Sequence, residues 1–176
     1  ISPDPKREKT VEILRGGDIF GLESLMKDGV YLVQAVAHEE SWVSVLRRDD
    51  FLSLSRERPA LSYNLIQLLL ERLAEAHADI KALCFYDIQQ RLVQTLLKLC
   101  EKHGQRLANQ KNVVRLKLKL THDFLARLTG ANRPYLSNIM SRFKKEGWIR
   151  YQRHHLLIDV DALASHVPLF SNGHRP

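Results

Sequence analysis

The stretch GANRPYLSNIMSRFKKEGW, Gly130 to Trp148, decides how this chain is read. Leu136, Ile139, Met140 and Phe143 recur at helical spacing and form one apolar face. Asn132 is placed to cap the helix start, and Pro134 falls in the first turn, where a missing N–H breaks no ladder bond. Gly147 marks the end. The residues left on the outer face are Arg133, Tyr135, Ser137, Asn138, Ser141, Arg142, Lys144 and Lys145. None is acidic, and all can donate hydrogen bonds.

Immediately upstream, THDFLARLT predicts a shorter helix. Thr121 caps it, Asp123 sits in its first turn where the helix dipole favours an anion, and Phe124, Leu125 and Leu128 face inward. Gly130 supplies the left-handed turn that lets two helices meet at a steep angle. Together these residues spell a helix-turn-helix with a recognition-like second helix. WIRYQRHHLLID, from Trp148, predicts two short strands around a basic turn, a wing whose Arg150, Arg153, His154 and His155 lie along a phosphate backbone. VVRLKLKL, from Val113, alternates strictly and predicts a strand with a cationic face.

The charge supports this assignment. The chain has 176 residues and a formal net charge of +7. Residues up to Ala108 carry 15 Lys+Arg against 16 Asp+Glu, and those from Asn109 onward 12 against 4. All the excess positive charge lies in the C-terminal part, which points to a polyanionic partner, double-stranded DNA first. The alternative is a winged-helix module whose basic face docks acidic protein partners and binds DNA only non-specifically.

Upstream of this part, Ile66, Leu69, Leu73, Ala76, Ile80 and Leu83 are spaced 3, 4, 3, 4, 3, a heptad seam that favours a homodimer over the alternative of a helix buried twice within one chain. Leu61, Leu65 and Leu68 form an adjacent stripe for the chain's own N-terminal part. Asp87 caps a further helix to about Lys102, carrying Ile88, Leu92, Val93, Leu96, Leu97 and Leu99, and FYD, Phe85 to Asp87, is the break before it. Before about Arg48 the reading is β: TVEILRGGDIFG, and two strands in YLVQAVAHEESWVSVLR, with PDPKREK as a polar hairpin end. Expected domains are a β-roll part over residues 1–58, a dimerisation helix and hinge over 59–86, and a winged-helix domain over 87–176.

Several function classes are excluded or disfavoured. No apolar run reaches the roughly 20 residues a bilayer-spanning helix needs. ISPDPKREK is not a signal peptide, so a cytoplasmic location is expected. There is no glycine-rich phosphate loop, HExxH or nucleophile elbow, so an enzyme is not expected. Cys84 and Cys100 lack metal-ligand spacing and read as small buried hydrophobes, too few for an Fe–S cluster. A lone His38 or His77 reads as solvated rather than as a haem ligand. No cofactor and no metal are expected.

With these residues assigned, residues from about Val11 to Val167 resemble bacterial transcription regulators of the cyclic-AMP receptor protein and fumarate-nitrate reduction regulator family. LRGGDIFGLESLM resembles that family's strand and phosphate-cassette helix, and YLVQAVAHEESWVSVLRRDDF its closing β-roll strands. LIQLLLERLAEAHADIKALCFYDIQQRLVQTLLKL resembles its dimerisation helix, hinge and first C-terminal helix, and LKLTHDFLARLTGANRPYLSNIMSRFKKEGWI its winged helix. The resemblance implies an α+β fold with a partial cyclic-nucleotide-binding-like β-roll, a long dimerisation helix and a C-terminal winged helix-turn-helix. It implies DNA contacts from Thr121, Arg133, Tyr135, Ser137, Asn138, Arg142, Lys144, Arg150, Arg153 and His154. Activators of this kind also touch RNA polymerase, though no residue here identifies that patch.

Three departures stand out. The family's roll has more strands and begins earlier, so the resemblance starts mid-roll. Nucleotide-binding members begin the cassette Gly-Glu and hold the cyclic phosphate with an Arg-Ser pair. Here Gly21 is followed by Leu22, with Glu23 one place late, and Tyr31 and Leu32 stand at the Arg-Ser positions. Neither supplies a guanidinium fork, so cyclic AMP is not expected in the usual pose, and the effector stays unnamed. Finally, the recognition helix opens Arg133-Pro134 where Arg-Glu is common, with Asn138 at the later Arg position, which predicts a different half-site.

Overall fold

In a computed structural model, the structure describes residues 8–107, 110–152 and 155–165. Two compact units divide within one long helix, at Ile80 and Lys81.

The first unit covers residues 13–80. Its helices are α1 (Arg48–Glu57) and most of α2 (Pro59–Phe85), with a single 3-10 turn at Leu22–Leu25. The strands expected in TVEILRGGDIFG and YLVQAVAHEESWVSVLR do not form: no strand lies among described residues before Gly104. Alternation favours an extended chain, but a strand exists only where a neighbour completes its hydrogen-bonded ladder, and neither stretch meets one among the described residues. Their apolar side chains stay open, Trp42 being 97% and Val45 86% exposed. The PDPKREK turn lies largely outside the described residues. Helix α1 is a further difference. RRDDFLSLSRE carries Asp49 and Asp50 in the first turn and Arg56 in the last, the charge order a helix dipole favours.

The second unit holds residues 8–12 and everything described from Lys81 onward. Its helices are α3 (Ile88–His103), α4 (His122–Thr129), α5 (Arg133–Lys145) and α6 (Val160–Ala164). Its strands are β1 (Gly104–Leu107), β2 (Gln110–Leu116), β3 (Ile149–Gln152) and β4 (His155–Asp159), in one antiparallel sheet of order β1-β2-β4-β3. The α3 start is a full capping box: the Asp87 carboxylate accepts from Gln90 N–H at 2.8 Å, and Gln90 Oε1 accepts from Asp87 N–H at 3.0 Å.

Strand β2 begins earlier and ends sooner than expected, because the chain must bend after Leu116 to reach the cap of α4. Strand β1 has no counterpart among the elements expected from sequence. It pairs with β2 through a register shift between Arg106 and Leu107. The core is built from Leu92, Val93 and Leu96 of α3, Leu125 of α4, the four apolar residues of α5, and Leu116, Ile149 and Ile158 of the sheet.

Candidate nucleic-acid interface

Helix α4 starts where Thr121 Oγ1 accepts the Phe124 N–H at 3.1 Å, and ends at Gly130, whose φ of 66° is the left-handed turn. Asn132 Oδ1 accepts the Tyr135 N–H at 2.9 Å and opens α5, with Pro134 in the first turn. Leu136, Ile139, Met140 and Phe143 are buried, while Arg133, Tyr135, Asn138, Arg142 and Lys144 are exposed and Ser137 half-buried. On α4, Leu125 is buried, but Phe124 and Leu128 are only half-buried and Ala126 and Thr129 complete the inner face.

One face of α5 is therefore anchored in the core and the other presents cations and neutral donors. Thr121 has a double capacity. Its hydroxyl oxygen accepts the capping bond and its hydroxyl proton remains available to a phosphate. Arg142 Nη2 donates to Gln89 Oε1 near the start of α3, which orients that side chain. Arg91 of α3 clamps the hinge: Nε donates to the Thr129 carbonyl and Nη1 to the Tyr86 carbonyl, each at 3.1 Å.

In the wing, β3 pairs with β4 in the register Ile149–Ile158, Arg150–Leu157, Tyr151–Leu156 and Gln152–His155. The pleat alternates faces. Ile149 is buried against the helices, and Tyr151 on the same face reaches back to α4. Arg150 takes the opposite face, where Nη2 donates to Gln110 Oε1 at 3.2 Å, so the sheet turns it away from α5. His155 is half-buried rather than lying on the surface. Arg153 and His154 lie outside the described residues.

His122, the first residue of α4, was not singled out by sequence. Its Nδ1 lies 3.0 Å from Ser137 Oγ and its Nε2 3.2 Å from Tyr151 Oη. Burial, and then the charge of Arg133, lower the His122 pKa. Burial raises that of Tyr151.

In the first unit, Gly21 (φ 75°) caps the 3-10 turn that holds Leu22 and Glu23, all three half-buried. Tyr31 is brought against Gly21: a Cβ placed there would lie 3.4 Å from Tyr31 Cε1. Tyr31 and Leu32 remain more than half exposed, at 59% and 55%. Arg72 of α2 donates to the Ile19 carbonyl.

Along α2, Ile66, Leu69, Leu73, Ala76, Ile80 and Leu83 are all exposed, whereas Leu61, Leu65 and Leu68 are half-buried. Cys84 is exposed, not buried as its neighbours suggested, because it sits on an outer face of α2. Cys100 is buried, and burial pushes its thiol up to about 12. Among the described residues no group of three or more His, Cys, Asp or Glu is placed to hold a metal ion. Nor is any described helix long and apolar enough to cross a membrane.

Comparison with known proteins gives a consistent picture. Residues 90–165 match the family model of the Crp-like helix-turn-helix domain, and residues 2–58 that of the cyclic nucleotide-binding domain. The chain is 32% identical over 144 residues to the cyclic AMP receptor protein of Thermus thermophilus, an alignment covering 82% of this chain and 62% of that one. It is 29% identical over 159 residues to the CRP-like cAMP-activated global transcriptional regulator of Mycobacterium tuberculosis, covering 90% and 70%. A solved CRP/FNR-family transcriptional regulator from Thermus thermophilus superposes with a TM-score of 0.52 at 29% identity, over 61% of this chain and 54% of that one. A CooA mutant from Carboxydothermus hydrogenoformans gives 0.59 at 25% identity, over 66% and 53%. The chain thus spans less than two thirds of the Thermus receptor protein and about half of each solved structure.

Proposed function

The chain belongs to the transcription-regulator family of the cyclic-AMP receptor protein and the fumarate-nitrate reduction regulator, and on that premise we propose that it is a homodimeric, sequence-specific DNA-binding regulator. The observation that carries the proposal is the outer face of α5. Arg133, Tyr135, Asn138, Arg142 and Lys144 stand exposed on a helix whose other face is locked into the core. Such a helix fits the major groove as a rigid reading head. The exposed α2 seam supports pairing of two chains, which would set two α5 helices on successive grooves of a near-palindromic site.

Within that face the roles differ by chemistry. Arg133 forks onto the O6 and N7 of a guanine, and Asn138 pairs with an adenine edge. Tyr135 touches a thymine methyl or a phosphate. Thr121, Ser137, Arg142 and Lys144 fix the register on phosphates. Arg150, bonded to Gln110 on the other face of the wing, stands apart from the α5 face. Contact with RNA polymerase remains compatible with the family but has no residue here to carry it.

A binding selection from random duplex DNA at near-physiological salt, with no added ligand, tests the reading. Enrichment of a two-fold-symmetric site with half-sites about one helical turn apart supports it. Salt-sensitive binding without any preferred sequence would favour the winged-helix module that acts through protein contacts. On the selected site, Arg133→Ala is expected to cost roughly 1–3 kcal/mol and relax preference at one base pair. An equal loss on every sequence would make Arg133 a phosphate contact.

We further propose that the chain does not bind cyclic AMP in the usual pose. Tyr31 and Leu32 at the phosphate-holding positions offer no guanidinium, and their exposed side chains form no enclosed anion site. Titration calorimetry with cyclic AMP should show no tight binding. A 1:1 stoichiometry per chain at high affinity overturns this.

A further inference from the structure

His122 sits where three elements of the second unit meet. It is the first residue of α4, its Nδ1 meets Ser137 on the outer part of α5, and its Nε2 meets the Tyr151 hydroxyl on β3. Ser137 follows Arg133 by one helical turn and precedes Asn138, so the imidazole lies within the surface assigned to DNA. Tyr151 belongs to the wing.

We propose that His122 is a positioning residue that ties Ser137 of α5 to Tyr151 of the wing and takes up a proton as this surface meets phosphate. The inference rests on the DNA-binding reading above and deepens it. A neutral imidazole has one donor and one acceptor nitrogen, so one of its two hydroxyl partners must donate to it. The imidazolium donates from both nitrogens. Ser137 and Tyr151 then both accept from the ring, and both hydroxyl protons turn outward, available to phosphate oxygens. The proton comes from solvent, and no bond between heavy atoms changes.

The surroundings set the direction. The charged and titratable groups shown to act on His122 are Arg133 on α5 and Tyr151 on β3, and Asp123 follows it on α4. The acid among these, Asp123, is held by Arg127 at 2.5 Å. Burial, and then the charge of Arg133, favour the neutral imidazole in the free protein. A phosphate backbone brings the missing negative charge and favours the imidazolium. A group that binds its proton more tightly in the complex than in the free protein makes affinity rise as pH falls between the two values. Folding alone has the opposite slope. The unfolded chain binds this proton more readily than the folded one, so His122 makes the domain less stable as pH falls through its ordinary value near 6.5.

The test uses the full chain and fluorescence anisotropy on the selected duplex between about pH 8 and pH 6, within the titration range of histidine. Wild-type affinity is expected to rise about three- to tenfold per subunit across that range, whereas His122→Gln stays nearly flat. Tyr151→Phe, which keeps the ring and loses the hydroxyl, should weaken binding at every pH with the melting temperature nearly unchanged. An NMR titration of the His122 ring, identified by its loss in His122→Gln, should show a pKa that rises on adding duplex; this measurement needs only the wild-type fold. If wild type and His122→Gln share one pH profile, or the ring titrates identically with and without DNA, the proposal fails while the DNA-binding reading stands. A wild-type chain that binds no duplex overturns both.

Discussion

On the proposed pairing through α2, Leu73→Asp should convert the protein from a dimer to a monomer and lower its affinity for a symmetric site by about two to four orders of magnitude. Leu73 stands in the middle of the exposed seam Ile66, Leu69, Leu73, Ala76, Ile80 and Leu83, and is itself 51% exposed. In a two-fold dimer the residue near the centre of a parallel seam meets its own counterpart. One substitution therefore places two carboxylates face to face in an apolar interface, where neither has a partner. The DNA effect follows from linkage. A dimer's second half-site binds at the effective concentration fixed by the first, and a monomer loses that gain without losing a single base contact. Analytical ultracentrifugation reads the mass, and anisotropy on full and half sites reads the coupling. Half-site affinity should change little. Leu73→Met, which keeps the apolar volume, should leave both readings near wild type. A Leu73→Asp chain that still sediments as a dimer places the partner contact elsewhere and removes the structural reason for two successive grooves.

The sequence carried unequal amounts of information about these parts. The helix-turn-helix was legible because every signal is local: the caps Thr121 and Asn132 lie three residues from the N–H groups they accept, and Gly130 stands at the turn itself. The helix α2 and the spacing of its exposed apolar residues were legible for the same reason, since a heptad needs no knowledge of the rest of the chain; its role as a dimer seam is the proposal tested by Leu73→Asp. The expected β segments before Arg48 are the counterexample. Alternation shows only that a segment can lie flat, and whether a ladder forms depends on a neighbour distant in sequence. Strand β1 was missed for a related reason: GQRL has one apolar residue, and only its pairing with β2 makes it a strand. Which face Arg150 takes could not be read from the sequence, because basic residues in a wing look alike there, while the pleat sends Arg150 and Tyr151 to opposite faces. The His122 contacts could not be read at all. Residues 122, 137 and 151 meet only after two helices and a strand have packed.

Phe143→Ala should separate folding from recognition more sharply than any change on the DNA-facing surface. Phe143 is 0% exposed, and its ring centroid lies 4.9 Å from that of Trp148, tilted by 43°. It sits on the α5 face opposite Arg142 and Lys144, so it touches no DNA in any reading of this surface. Truncation removes the apolar burial and leaves a cavity that its neighbours, already at their own packing positions, fill only in part. The expected cost is about 3–5 kcal/mol. Set against the roughly 5–15 kcal/mol that holds a domain of this size together, that is a large fraction. At about 4–8 °C per kcal/mol, the melting temperature of the winged domain should fall by about 12–40 °C. DNA affinity measured well below the new transition should remain near wild type, and it should vanish as the domain melts. Arg133→Ala is the mirror image: unchanged melting, altered base preference. The two variants together test whether α5 works as one helix with two independent faces. If Phe143→Ala weakened binding at low temperature while its melting curve held, the buried face would be positioning the reading face, and the division of labour argued for α5 would be wrong.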